Sequence, residues 1–362
     1  MEEFKRDLEN INRAIQEFEN MRQTRKLLDE NELAVAYVRR GMLYFQINMF
    51  DKAILDFNQC IEIMEQLLKE KKSPNANELA KAYSCRGMAY YINGNYNQAL
   101  PDISKSIDIW EHLQKQGQFI EESTLFNMYI IRGGVFNNMA DKMDVAISDL
   151  QKVKECAQRL EMAGKPFDED GLASAHMGVA IIFDQKEEFD EANKHYDQCI
   201  VIWEGLLSEG QPLLDEENLA TAYMNRGLNY YLMKENDKAL SDYDKSISIR
   251  ERLQKQSVQQ DPYLFSISYK NRANAHNVAN NTTAAIKDNI SAARILKKVF
   301  SEFPELQELY YDTLERLVNL IVEVDDNVLY NEVLQEYLYS MRSVPKTEEA
   351  EEAQNNILEQ LN

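Results

Sequence analysis

The chain has 362 residues, with 40 Lys and Arg against 61 Asp and Glu, so its formal net charge is −21. Hydrophobic residues at 44% and charged residues at 28% exclude a disordered chain, and the acidic balance excludes the basic footprint that nucleic acid or an anionic membrane surface attracts. Only 12 Gly and 7 Pro argue against a loop-rich all-β protein and for long helices.

The first residues, MEEFKRDLEN, lack the apolar stretch of a leader segment. No run approaches the roughly 18 apolar residues of a spanning helix. Residues 10–30, NINRAIQEFENMRQTRKLLDE, predict one helix with Ala14, Ile15, Phe18, Met21 and Leu28 on one face. From Ala36 onward a pattern recurs: AYVRRGMLYF at Ala36, AYSCRGMAYY at Ala82, MYIIRGGVFN at Met128, AHMGVAIIFD at Ala175, AYMNRGLNYY at Ala222, and a weaker SYKNRANAHN at Ser268. The lead residues are Tyr37, Tyr83, Tyr129, His176, Tyr223 and Tyr269, separated by 46, 46, 47, 47 and 46 positions, which is an internal repeat.

Each repeat predicts two helices. In the first, helix A, apolar or small residues recur at i, i+4 and i+7, as in Tyr83, Gly87 and Tyr90. A polar turn such as Asn93-Gly94-Asn95 follows. Helix B opens with an aromatic and an Ala (Phe50/Ala53, Tyr96/Ala99, Phe189/Ala192) and carries a Leu at one fixed place: Leu67, Leu113, Leu160, Leu206 and Leu253. Trp110 and Trp203 stand three residues before that Leu and are expected to pack between helices. Polar connectors such as KEKKSPNANE close the repeats. Residues 306–342 predict a degenerate helix pair, Pro345 breaks the chain, and residues 347–361 predict an acidic helix with Glu348, Glu349, Glu351 and Glu352 outward. About sixteen helices around one continuous core are expected.

The repeat resembles the tetratricopeptide repeat family from residue 33 to about residue 302. Repeat two matches the family pattern with Tyr83, Gly87, Tyr90, Ala99, Ile103 and Ser106, and repeat five with Tyr223, Gly227, Tyr230, Ala239, Tyr243 and Ser246. The departure is the period, about 46 residues here against about 34 in the family. The excess follows the second small position of helix B, as in the extended repeats of the kinesin light chain type. The resemblance implies an all-α protein, a right-handed α-solenoid or superhelix of antiparallel helix pairs. It would have a capping helix over 1–32, six extended repeats over 33–305, and a degenerate pair with an acidic cap over 306–362. In residues 10–30, Ala14, Ile15, Phe18, Met21 and Leu28 match Ala53, Ile54, Phe57, Cys60 and Leu67, so the segment reads as a lone helix B that covers the first apolar face.

A charge pair recurs with the repeat. Helix A carries Arg40, Arg86, Arg132, Arg226 and Arg272 three residues after the lead position, and helix B carries Asp56, Asp102, Asp149, Asp242 and Asp288. Repeat four lacks both, with Val179 and His195 instead. Joint loss points to pairing across the two helices, because a half-buried Arg wants a carboxylate; an arginine ladder for an acidic ligand is the functional reading of the same residues. His176, His195 and Cys199 are the one trio with zinc-ligand chemistry, but each replaces a structural residue of the repeat, so no metal is expected. There is no phosphate-cradling glycine loop and no GxSxG, and acid pairs such as Asp168/Asp170 fall in connectors. No cofactor and no catalysis are expected. Cys60, Cys85, Cys156 and Cys199 have no CxxC spacing and read as reduced thiols of a cytoplasmic protein.

In the family the A helices line a concave groove. Positions one, five and eight after the lead residue would face it: Val38, Met42 and Phe45; Ser84, Met88 and Tyr91; Ile130, Gly134 and Asn137; Met177, Ile181 and Asp184; Met224, Leu228 and Tyr231; Lys270, Asn274 and Asn277. Four of these six sets are mostly apolar, and an exposed apolar stripe marks a binding surface. Lys270 and Asn274 match the first part of the family's carboxylate clamp for chaperone tails, but the next repeat lacks the complement. The expected function is a non-enzymatic protein- or peptide-binding scaffold whose partner offers apolar anchors and a basic flank. The alternatives are a peptide-sensing or regulatory subunit of a separately encoded enzyme, and an enzyme built on His176, His195 and Cys199.

Overall fold

The computed structural model describes residues 2–24, 29–136, 142–299 and 303–323. Among these residues there are fourteen α-helices and no strand. The A helices are α2 (Glu30–Gln46), α4 (Ala76–Ile92), α6 (Glu122–Phe136), α8 (Glu169–Gln185), α10 (Glu216–Leu232) and α12 (Pro262–Val278). The B helices are α3 (Phe50–Lys69), α5 (Tyr96–Lys115), α7 (Met143–Met162), α9 (Phe189–Ser208), α11 (Asn236–Lys255) and α13 (Thr282–Val299). Helix α1 (Glu2–Gln23) precedes them, and α14 (Gln307–Glu323) follows a 3₁₀ turn at Pro304–Leu306. Leu28, Asn137 and the helices expected beyond residue 323 lie outside the described residues. None of the described helices is long and apolar enough to cross a membrane.

The helix boundaries have local causes. Asp29, Asn75, Asp215 and Asp261 are N-caps whose side chains accept backbone N–H bonds from the first turns of α2, α4, α10 and α12. The ends close alike. Asn95 N–H reaches Tyr90 C=O at 2.8 Å across Gly94, whose φ is 73°. At the far end of each B helix, from α3 to α11, the fixed Leu supplies the closing carbonyl: Leu67 accepts from Lys72, Leu113 from Gln118, Leu160 from Lys165, Leu206 from Gln211 and Leu253 from Val258. The extra length of helix B therefore ends at a defined stop.

The chain divides into two compact units, Met1–Val179 and Ala180–Asn362. In the N-terminal unit α1 to α7 pack in chain order, each on the next, and α2 also touches α4. Its core holds Leu33, Phe57, Met64, Ile103, Trp110, Leu125 and Val153, all closed to solvent. Ile11, Ile15 and Phe18 of α1 pack against the core of repeat one, so α1 covers its first apolar face. In the C-terminal unit α9 to α14 pack in the same way, around Tyr196, Trp203, Tyr243 and Leu296. There α14 lays Tyr310, Leu314, Leu317 and Ile321 on α13. Each unit is thus a run of α-solenoid built from antiparallel helix pairs.

Candidate functional site

The recurring Arg and Asp meet in all five repeats that carry them. Arg40 binds Asp56, Arg86 binds Asp102, Arg132 binds Asp149, Arg226 binds Asp242 and Arg272 binds Asp288, each through two N–H···O bonds of 2.6–2.9 Å. Each guanidinium also lies 5.4–5.8 Å from the centroid of its repeat's lead Tyr. The five Asp side chains are buried. The ladder is therefore an internal brace and offers no open cation to an acidic ligand.

Two further rungs escaped sequence reading. The third guanidinium nitrogen of four arginines reaches back to the preceding B-type helix: Arg40 to Asn12, Arg86 to Asn58, Arg226 to Asp197 and Arg272 to Asp244, at 2.6–2.9 Å. Each lead Tyr hydroxyl donates to a Glu on that same preceding helix. Tyr37 reaches Glu19 at 3.0 Å, Tyr129 reaches Glu111 at 2.6 Å and Tyr269 reaches Glu251 at 2.6 Å, while Tyr83 and Tyr223 bond Glu65 and Glu204. The signal was available, because Glu19, Glu65, Glu111, Glu204 and Glu251 all stand 18 or 19 residues before their tyrosines. Burial, reinforced by the Glu19 carboxylate, pushes the Tyr37 phenol up to about 12.

Repeat four replaces this brace. Asp184 accepts from Tyr196 Oη and from Asn229 Nδ2, both at 2.6 Å, joining α8, α9 and α10. Burial raises the Asp184 carboxyl above its usual range. His195 stacks on Phe183 with centroids 5.5 Å apart. Cys199 is buried and donates through Sγ to the Tyr196 carbonyl. Among the described residues no three His, Cys, Asp or Glu side chains converge as metal ligands would. Burial pushes the thiols of Cys60, Cys156 and Cys199 up to about 12 and that of Cys85 to about 11, far from the thiolate that nucleophilic or metal chemistry needs.

The three groove positions of helix A differ in fate. The first is largely interior: Val38, Ser84, Met224 and Lys270 are buried, while Ile130 and Met177 are half-buried. Adjoining A helices touch (α2 on α4, α10 on α12), and Val38 belongs to the core cluster of α1 to α4. Val38 and Met224 therefore pack inside and present no surface. The second position is open, with Met42 39% and Leu228 37% exposed and Met88, Ile181 and Asn274 half-buried. The third is half-buried against the start of helix B: Phe45 lies edge-on to Phe50 at 5.3 Å, Tyr91 is tilted on Tyr96 at 5.5 Å, and Tyr231 rests on Ala239 and Tyr243. Lys270 and Asn274 are occupied by α14, since Lys270 Nζ donates to Asp312 at 2.6 Å and Arg316 donates to Asn274 at 3.4 Å. They are not a free clamp.

Tetratricopeptide repeat models match residues 34–66 and 219–253, which lie in repeats one and five. A comparison with curated proteins found no match. The C-terminal part of a TPR repeat-containing protein from Cytophaga hutchinsonii superposes with a TM-score of 0.54 at 16% identity, covering 87% of this chain and 98% of that one. A signal transduction ATPase with numerous domains and a tetratricopeptide repeat sensor, from Pyrococcus horikoshii, gives 0.55 at 13% identity, covering 93% and 46%. The present chain spans under half of that protein. The apo form of a quorum sensor from B. thuringiensis gives 0.48 at 15% identity, covering 100% and 99%. At these identities the likeness to the first two is one of fold.

Proposed function

The chain belongs to the tetratricopeptide repeat family, and from that premise we propose that it is a non-enzymatic, cytoplasmic scaffold binding a protein or peptide on the faces of its A helices. The reading is carried by an apolar stripe of exposed and half-buried side chains. In the N-terminal unit it comprises Met42, Phe45, Met88 and Tyr91, and in the C-terminal unit Leu228 and Tyr231. A chain of charge −21 has ample polar residues to cover helix surfaces, so apolar side chains repeated at one face of successive helices favour recognition. Met adapts to varied shapes, and aromatics give large contact area at low entropy cost. The ligand would bring Leu, Met or aromatic anchors and a basic flank. A sensor role would begin with the same capture. Four free cysteines support a reducing compartment.

The test is a random peptide library selected against the full chain, with affinities of the winners measured by calorimetry. Apolar anchors should dominate the selected sequences. Tyr91→Ala should weaken them by about 2 kcal/mol if that ring is central, with helical content unchanged. Winners that bind Tyr91→Ala and Tyr231→Ala as they bind the parent chain would move the site off these helices.

A further inference from the structure

The N-terminal unit contains a cavity of about 160 Å³ at repeat three, lined by α6, α7, α8 and Tyr91 of α4. Three departures from the repeat open it. Elsewhere in this unit the glycine of helix A lies hard against helix B: a Cβ on Gly41 would meet Phe57 at 2.7 Å, and one on Gly87 would meet Ile103 at 2.8 Å. At Gly133 the nearest such atom is Asp149 Cβ at 3.6 Å. Leu150, standing where Phe57 and Ile103 stand, does not come within 4 Å of a Cβ at Gly133, so α6 and α7 fit less tightly at this point. Gly134 replaces the Met42 and Met88 of repeats one and two, and a Cβ there would meet nothing within 4 Å. Val179 occupies the place of the ladder's Arg, whose long side chain would otherwise lie over this space. The walls are Ile130, Ile131, Val153 and Tyr91, and the exposed Gly134 and Ser174 stand at the mouth.

We propose that this cavity is the seat of one apolar side chain, a Leu, Met or Phe, of the bound peptide; the proposal rests on the peptide-binding reading above. A void lined by apolar groups forfeits dispersion contacts, and a ligand that fills it restores them. An apolar cavity of roughly 150 Å³ stays dry and takes up benzene, so this one has room for a single large side chain. The cavity can select for one residue at one place, and it exists because Gly134 of repeat three stands where its neighbours keep Met, Leu150 does not reach Gly133, and Val179 of repeat four stands where the ladder has Arg.

Two measurements on the full chain test this. Benzene is titrated while the methyl resonances of Ile130, Ile131, Val153 and Val179 are followed. Saturable shifts are expected, weakened about tenfold or more by Gly134→Met or Val153→Met, which fill the space from opposite walls. In parallel, each apolar position of a library-selected peptide is changed to Ala. One position should cost about tenfold or more against the parent chain and about twofold or less against Gly134→Met, the coupling of a double-mutant cycle. Absence of saturable benzene binding would overturn the proposal. So would Ala truncations that cost the same in both proteins; in that case a loss on Tyr91→Ala would still uphold the wider surface. A library yielding no binder would sink both readings.

Discussion

Arg250 holds the place that Trp110 and Trp203 hold in repeats two and four, three residues before the fixed leucine, and it is closed to solvent. One guanidinium nitrogen donates to Thr221 at 2.8 Å, the ion pair with Glu217 is long at 3.8 Å, and Nε is buried without a hydrogen-bond partner. Burial lowers the guanidinium to about 10, so the charge is held at a cost to stability. Glu217 is raised by the same burial. A buried pair of this kind is weak support for the fold, but removing one member strands the other. Glu217→Gln should therefore lower the unfolding free energy by about 3 kcal/mol, and adding Arg250→Met should recover most of it, because Met64 fills this place in repeat one. Urea unfolding of the two variants is the check; a double variant no better than the single one would mean that the pair stabilises. Only the packed structure reveals that the neighbours of Arg250 are hydroxyls rather than a close carboxylate.

At the scale of the helix pair, the repeat's glycine marks where helix A and helix B touch, and its spacing was plain in the sequence. Whether the touch is tight was not, because it depends on the side chain one residue past the paired Asp on helix B: Phe57, Ile103, Leu150 or Tyr243. The same substitution should consequently have opposite effects in adjacent repeats. Gly87→Ala drives a Cβ into Ile103 at 2.8 Å and should cost about 1–3 kcal/mol. Gly133→Ala meets only ordinary contacts at 3.6 and 3.8 Å and should gain up to about 1 kcal/mol from helix propensity. Thermal unfolding of both variants decides, and equal losses would show that α6 and α7 are as close as α4 and α5. The Tyr–Glu and Arg–Asn rungs belong to this scale too. They tie each A helix to the B-type helix before it, so α1 contributes Glu19 and Asn12 as any B helix would.

For the molecule as a whole, the charge of −21 acts on encounter more than on the bound state. Raising salt from about 50 to about 300 mM shrinks the Debye length from beyond 10 Å to well below it. The association rate of a peptide with a basic flank should then fall steeply, while an affinity resting on buried apolar anchors falls modestly. Stopped-flow rates at several salt concentrations measure this. A dissociation rate that rises as steeply as the association rate falls would mean that charge pairs, and not the apolar stripe, hold the ligand.

The repeat period, the helix pairs, the fixed leucine and the Arg–Asp ladder follow from the order of residues alone. They are local or near-neighbour features: helix faces are set by a 3.6-residue period, and in a solenoid each helix meets chiefly the next. The solvent exposure of each groove position was decided by packing between helices. Val38 and Met42 lie four residues apart on one face of α2, yet Val38 is buried in the core and Met42 is exposed. Lys270 reads as a surface cation until Asp312, 42 residues on, folds back to neutralise it. The cavity at repeat three is likewise invisible in any single side chain. It arises where Gly134, Leu150 and Val179, far apart in sequence, each fail to fill one shared space, and only α4, α6, α7 and α8 together line that space.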